Sequence, residues 1–253
     1  MSALLVIVAA LWGAAAGALL PLAAYRFSVS AEEDWRDRCP AGHPIGGWIG
    51  RARCRECAGG PTEPVEGDVR KPSYGPGTPA LVISTALVCA ALAAATGTRP
   101  ELGVWLLLGP VGVLLAVVDF RVQRLPDLLT LPLAGAALAL LGVAALLPEH
   151  AGDWATALYG ALALGGAFFV LFLINPGGMG FGDVKLALGL GAALGWYGWP
   201  TLMLGTFAAF LLGALYGGAL VVVRRAGRKT AIAFGPFLIT GAFAGLLIGA
   251  YAA

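Results

Sequence analysis

Charge is scarce in this chain. Only 12% of its 253 residues are Asp, Glu, Lys or Arg, against 59% hydrophobic. The mean hydropathy is +0.84. A soluble domain of this length carries about twice that charge, so an ordinary water-soluble globule is excluded. Period-two alternation of apolar and polar residues is also missing, which excludes a membrane β-barrel. No internal repeat is evident, nor any low-complexity tract beyond the Ala/Leu/Gly bias of membrane helices. No basic cluster precedes the first apolar run, which opens Met1-Ser2-Ala3 and carries its basic flank behind it. That run reads as a retained helix rather than a cleaved signal peptide.

What remains is a series of apolar runs long enough to cross a bilayer. They fall at Leu4–Ala24, Pro79–Thr96, Leu102–Val118, Leu128–Leu147, Trp154–Ile174, Val184–Leu194, Pro200–Val223 and Ala231–Tyr251. The expected fold is all-α: a polytopic membrane protein of about eight transmembrane helices with a small insertion resembling a zinc knuckle. Residues 1–25 form the first helix, 26–78 the insertion and 79–253 the main membrane domain. Basic residues mark one side. Arg26, Arg36, Arg38, Arg51, Arg53, Arg55, Arg70 and Lys71 lie in the insertion. Arg121, Arg124, Lys185, Arg224, Arg225, Arg228 and Lys229 lie in later loops of the same side, and only Arg99 falls opposite. The positive-inside rule therefore puts these loops in the cytoplasm and both termini outside. Trp105, Trp154, Trp196, Tyr197 and Trp199 are expected to form the aromatic belt of the other face.

Three of the four cysteines sit in the insertion. Cys54-Arg55-Glu56-Cys57 has knuckle spacing, and Cys39-Pro40-Ala41-Gly42-His43 supplies a second half-site. Four such ligands on two short turns suit tetrahedral zinc, and so small a segment needs a staple to fold. A disulfide is the competing reading, disfavoured in the cytoplasm, and a metal-free reduced loop is the other. Cys89, within the second span, reads as a packing residue. Gly59 to Gly77 reads as a Pro/Gly-rich linker.

Two carboxylates carry the chemistry. Asp119 ends the third span, and Asp183 opens the sixth behind Gly177, Gly178, Gly180 and Gly182. A carboxylate at a membrane span is costly and points to function. Two at one depth suggest a dyad sharing a proton, one carboxyl activating water and the other polarising a peptide carbonyl. The glycines allow close approach of an extended substrate. The alternative is two separate helix caps, and Asp127, after Pro126, is expected to cap the fourth helix. Lys185 either tunes the dyad or meets a lipid headgroup.

These residues resemble the type IV prepilin peptidases, within the GxGD intramembrane aspartic proteases. Val118-Asp119-Phe120 through Leu125-Pro126-Asp127-Leu128-Leu129-Thr130-Leu131-Pro132 is similar to the segment bearing the family's first catalytic Asp. Gly180-Phe181-Gly182-Asp183-Val184-Lys185-Leu186 is similar to the second. Phe234-Gly235-Pro236-Phe237 resembles a further signature. The resemblance implies that Asp119 and Asp183 are catalytic, with Gly180, Gly182 and Lys185 in the substrate loop. It implies a bacterial cytoplasmic membrane location. The implied reaction cuts a short basic leader from an apolar helix, on prepilin or pseudopilin substrates in contact with membrane lipid. No nucleic-acid partner is expected. Many family members also methylate the new amine with S-adenosylmethionine and carry a doubled Cys-x2-Cys zinc motif. Here Cys39 and His43 replace the first pair, and the family's asparagine near position 21 is missing, which leaves methylation open.

A second class remains: a transporter in which Asp119 and Asp183 bind a proton or cation. It predicts carboxylates near the bilayer midplane and an inverted repeat. A third is an assembly factor docking through its zinc loop, indifferent to loss of either Asp.

Overall fold

The structure, a computed structural model, describes residues 2–30, 33–59, 73–223 and 233–253. Among these the chain is helical, and its only β-pairing is two isolated bridges, Arg38 to Pro44 and Arg53 to Ser73. The helices are α1 (Ser2–Phe27), α2 (Arg55–Gly59), α3 (Thr78–Thr96), α4 (Glu101–Val122), α5 (Asp127–Ala144), α6 (Trp154–Ile174), α7 (Phe181–Trp196), α8 (Trp199–Val222) and α9 (Gly235–Ala252). Eight of them match the eight expected runs, and α2 belongs to the insertion. Seven are long and apolar enough to cross a membrane: α1, α3, α4, α5, α6, α8 and α9. The exception is α7. Its 16 residues reach about 24 Å, short of the ~30 Å hydrocarbon core.

The short helix is the most enclosed. From Asp183 to Trp196 all but Lys185, Leu188 and Leu190 are buried, because α5, α6, α8 and α9 all pack against it. Small residues set the spacing. A Cβ on Gly195 would fall 2.6 Å from the Thr156 carbonyl oxygen of α6, so this pair of helices needs a bare backbone there, the usual device where lipid supplies no hydrophobic drive.

Several expected boundaries move. Residues Phe120-Arg121-Val122 contain no helix breaker, so α4 runs on until Gln123 turns left-handed with φ +52°. Asp119 thus lies inside the final turn rather than ending the helix. Likewise α7 begins at Phe181, which puts Asp183 inside its first turn, and α5 stops at Ala144 instead of Leu147. The aromatic belt is corrected too. Trp154 and Trp199 are exposed, but Trp105 and Trp196 are buried in the core. The Trp105 indole N–H is drawn inward to the Tyr197 hydroxyl at 3.1 Å. Arg70, Lys71, Arg224, Arg225, Arg228 and Lys229 lie outside the described residues, as do most of the linker after Gly59 and the first residues of the expected last span.

The insertion is strapped to the membrane helices. Pro21 sits inside α1 and lacks an N–H, which opens the helical ladder. Gly50 occupies the opening: its N–H donates to the Leu19 carbonyl at 2.8 Å, and its carbonyl accepts from Leu22 N–H at 2.9 Å. Further along, the Arg124 guanidinium donates to the carbonyls of Ser30 at 2.5 Å and Glu33 at 3.4 Å. It also stacks 4.3 Å over the Trp35 ring. The insertion is thereby fixed against the turn that follows α4.

Candidate active site

At the end of the bundle that carries the insertion, α4 finishes, α7 starts and α9 starts. Asp119 and Asp183 meet there. They are 4% and 6% exposed, and they line one cavity of about 840 Å³. Each lies within the other's electrostatic reach. The rest of the wall comes from the Gln123–Leu125 turn, the loop from Asn175 to Gly182, and the rings of Phe210 and Phe234.

A backbone group holds the first carboxylate. Asp119 Oδ2 accepts the N–H of Gly235 at 3.0 Å, an orphan donor at the start of α9. A Cβ on Gly235 would fall 2.6 Å from that oxygen, so the position demands glycine. Asp183 is the third residue of α7. Its carboxylate lies close to Gly180, the residue that precedes the helix: a Cβ there would fall 3.6 Å from Asp183 Oδ2. An acid at this position answers the partial positive charge of the helix start. Gly182 serves packing: a Cβ there would fall 2.8 Å from Leu125 Cβ. Without one, α7 lies directly against the turn after α4.

The structure therefore gathers Asp119, Asp183, Gly180 and Gly182 around one cavity. It does not bring Lys185 into the wall. Lys185 Nζ pairs with Asp127 Oδ1 at 2.6 Å, its side chain only 16% exposed, and lies 4.8 Å over the Phe181 ring. The expectation that Asp127 caps α5 is overturned. Pro126 precedes the helix with no side-chain cap bond. Asp127 is the first helical residue, and its carboxylate is taken by the lysine. Two contributors to the site carried no role in the sequence reading. Gly235 was visible only as part of a signature, and Arg124 only as a basic loop residue.

A second cluster sits in the insertion. The ligand atoms of Cys39, His43, Cys54 and Cys57 all lie within 4.8 Å of one another. Cys39 Sγ and Cys57 Sγ are 3.9 Å apart. His43 Nδ1 lies 3.6, 3.5 and 3.4 Å from the sulfurs of Cys39, Cys54 and Cys57. Tetrahedral zinc with ordinary bond lengths requires about 3.8 Å between sulfurs and about 3.6 Å from sulfur to nitrogen. The cluster fits a metal of that kind. His43 Nε2 faces Glu56 Oε2 at 3.4 Å, the carboxylate support that fixes a ligating imidazole. The Cys57 backbone N–H, more than any other group, holds the Cys54 thiol down to about 7, which favours the ligating thiolate. All four cysteines are free thiols, and Cys89 is buried in α3.

Comparison with known proteins aligns with this geometry. The sequence profile of the type IV leader peptidase family matches residues 106–218, a stretch that contains both Asp119 and Asp183. The prepilin leader peptidase/N-methyltransferase of Pseudomonas aeruginosa is 34% identical over 187 residues, covering 71% of this chain and 61% of the relative. The protein of that name from Escherichia coli is 37% identical over 137 residues, covering 52% and 57%. Leader peptidase HopD of Salmonella typhimurium is 36% identical over 137 residues, covering 52% of this chain and 83% of the relative. The chain spans about half to three-fifths of the length of the first curated relatives it matches. No solved structure matches it.

Proposed function

The chain belongs to the type IV leader peptidase family, and from that premise we propose that it is a membrane aspartic endopeptidase that removes the basic leader of prepilin-like proteins. One observation carries the reading. Two carboxylates from helices far apart in sequence, each more than nine-tenths buried, face a single cavity at one end of a membrane bundle. Separate helix caps would have no reason to converge. A proton or cation path would place them near mid-depth rather than in the last turn of α4 and the first turn of α7.

In this mechanism one carboxylate takes a proton from water while the other, protonated, donates to the scissile carbonyl. The hydroxide equivalent adds to the carbonyl carbon. The C–N bond then breaks: the proton taken from water passes to the departing amine, and the proton given to the carbonyl oxygen returns to the second carboxylate as the C=O re-forms. Gly235 N–H holds one oxygen of Asp119 and leaves the other for the reaction. The glycines at 177, 178, 180 and 182 leave backbone accessible beside an extended substrate strand. The substrate class is a short basic leader followed by an apolar helix, and the relatives' names support it. The distribution of Lys and Arg supports a site on the cytoplasmic side of the inner membrane, with both termini outside.

Cys39, His43, Cys54 and Cys57 would hold zinc, which would act there as a cross-link for a segment too small to fold unaided. The N-methyltransferase activity in the relatives' names needs S-adenosylmethionine.

The test is cleavage of a prepilin from the same organism by the protein in lipid, read by intact mass. Wild type loses the leader, and Asp119→Asn and Asp183→Asn each fall by about a thousandfold or more. Cleavage that persists in either variant overturns the dyad.

A further inference from the structure

Residues Gly46-Gly47-Trp48-Ile49-Gly50 form a loop of the insertion that neither the dyad cavity nor the metal cluster uses. Gly50 is bonded on both sides to the backbone of α1, at Leu19 and Leu22. Those residues precede the end of α1 at Phe27 by about 12 and 8 Å along the helix axis. A loop strapped beside a membrane-spanning helix must share its depth. Its side chains suit that depth. Ile49 is 70% exposed and Trp48 39%, and Leu19 of α1, whose carbonyl accepts from Gly50, is also exposed.

Part of the loop's polar backbone is paired. Arg26 donates to the carbonyl of Gly47 at 2.5 Å and that of Ile45 at 3.5 Å. Its guanidinium lies 4.0 Å over the Trp48 ring, and Phe27 packs on the same ring at 5.0 Å. Irregular backbone does not enter the hydrocarbon core exposed to lipid. A partly paired backbone, an arginine at the helix end and an amphipathic indole belong to the hydrated layer above it. We propose that this loop is a lipid anchor, seated at the boundary between headgroups and acyl chains, with Ile49 and the edge of Trp48 against phospholipid. The anchor fixes the depth of the whole insertion. Through Arg124, which binds Ser30 and Glu33, it also fixes the rim of the dyad cavity.

The experiment places a photoreactive benzophenone side chain at Ile49 of the full chain in nanodiscs of phosphatidylcholine and phosphatidylglycerol. Illumination is followed by intact mass. Leu11, 65% exposed within α1, is the lipid-facing control. Asp37, whose charged side chain is 77% exposed, is the water-facing control. The expected result is addition of one phospholipid at positions 49 and 11, with several-fold less at 37. Three outcomes overturn the proposal: an adduct at 11 but not at 49, equal yields at 49 and 37, or a covalent link from 49 to a second copy of the chain. No cleavage is measured, so the result is independent of the peptidase reading.

Discussion

Gly235 has no side chain, yet the dyad depends on it. Its N–H holds Asp119 at 3.0 Å, and there is no room for a methyl group beside that carboxylate. Gly235→Ala keeps the donor but displaces the acid. We expect cleavage to fall by about a hundredfold while the protein remains folded, measured as kcat on a prepilin beside a thermal melt in detergent. The pairing of Lys185 with Asp127 is a smaller matter. Asp127 is largely exposed, so water screens the pair and its worth is about 0.5–1 kcal/mol. Lys185→Met and Asp127→Asn should each lower stability slightly. Combined, they should cost less than their sum, because both remove the same bond. A strictly additive double variant would show that the two are independent. Asp119 and Asp183 were legible one by one, as carboxylates at the edges of apolar runs. The Gly235 contact was not, since it joins residues 116 positions apart and depends on how α9 enters the bundle.

At the scale of elements, hydropathy located the helices well because lipid imposes one demand on every span. It was less informative where polar side chains meet inside the protein. Trp105 and Trp196 read as interfacial aromatics, but the turn at Tyr197 and the buried Glu101 give the Trp105 indole N–H an internal environment. The metal cluster was legible from spacing, since two short turns with paired ligands have few other uses. Its Glu56 support was not, because Glu56 sits among several exposed charges of equal appearance. Zinc should copurify at about one equivalent and be lost as pH falls. The sign follows from the ligands: each sulfur binds the metal as thiolate. Acid reprotonates the sulfurs and competes with the metal. Metal content measured across pH 5 to 8 checks this. Cys57→Ser should abolish retention, and full occupancy in that variant would remove the cluster from consideration.

For the whole molecule, the insertion, the dyad and the Lys185–Asp127 pair all gather at one end of the bundle. The opposite end holds the buried Glu101 and its partners Tyr197 and Ala151. That asymmetry was legible as the distribution of Lys and Arg. The contacts of Gly235 with Asp119 and of Arg124 with Ser30 and Glu33 were not, because neither leaves a periodic trace. The short enclosed helix α7 has a consequence for how the protein is made. With 16 residues, Asp183 in its first turn and Lys185 just beyond it, it does not partition into lipid by itself. Its walls arrive at different times, since α5 and α6 precede it in the chain while α8 and α9 follow. During synthesis the segment that bears Asp183 therefore waits for its later neighbours. We expect Asp119 and Asp183 to take up their places only once α9, which supplies the Gly235 N–H to Asp119, has emerged.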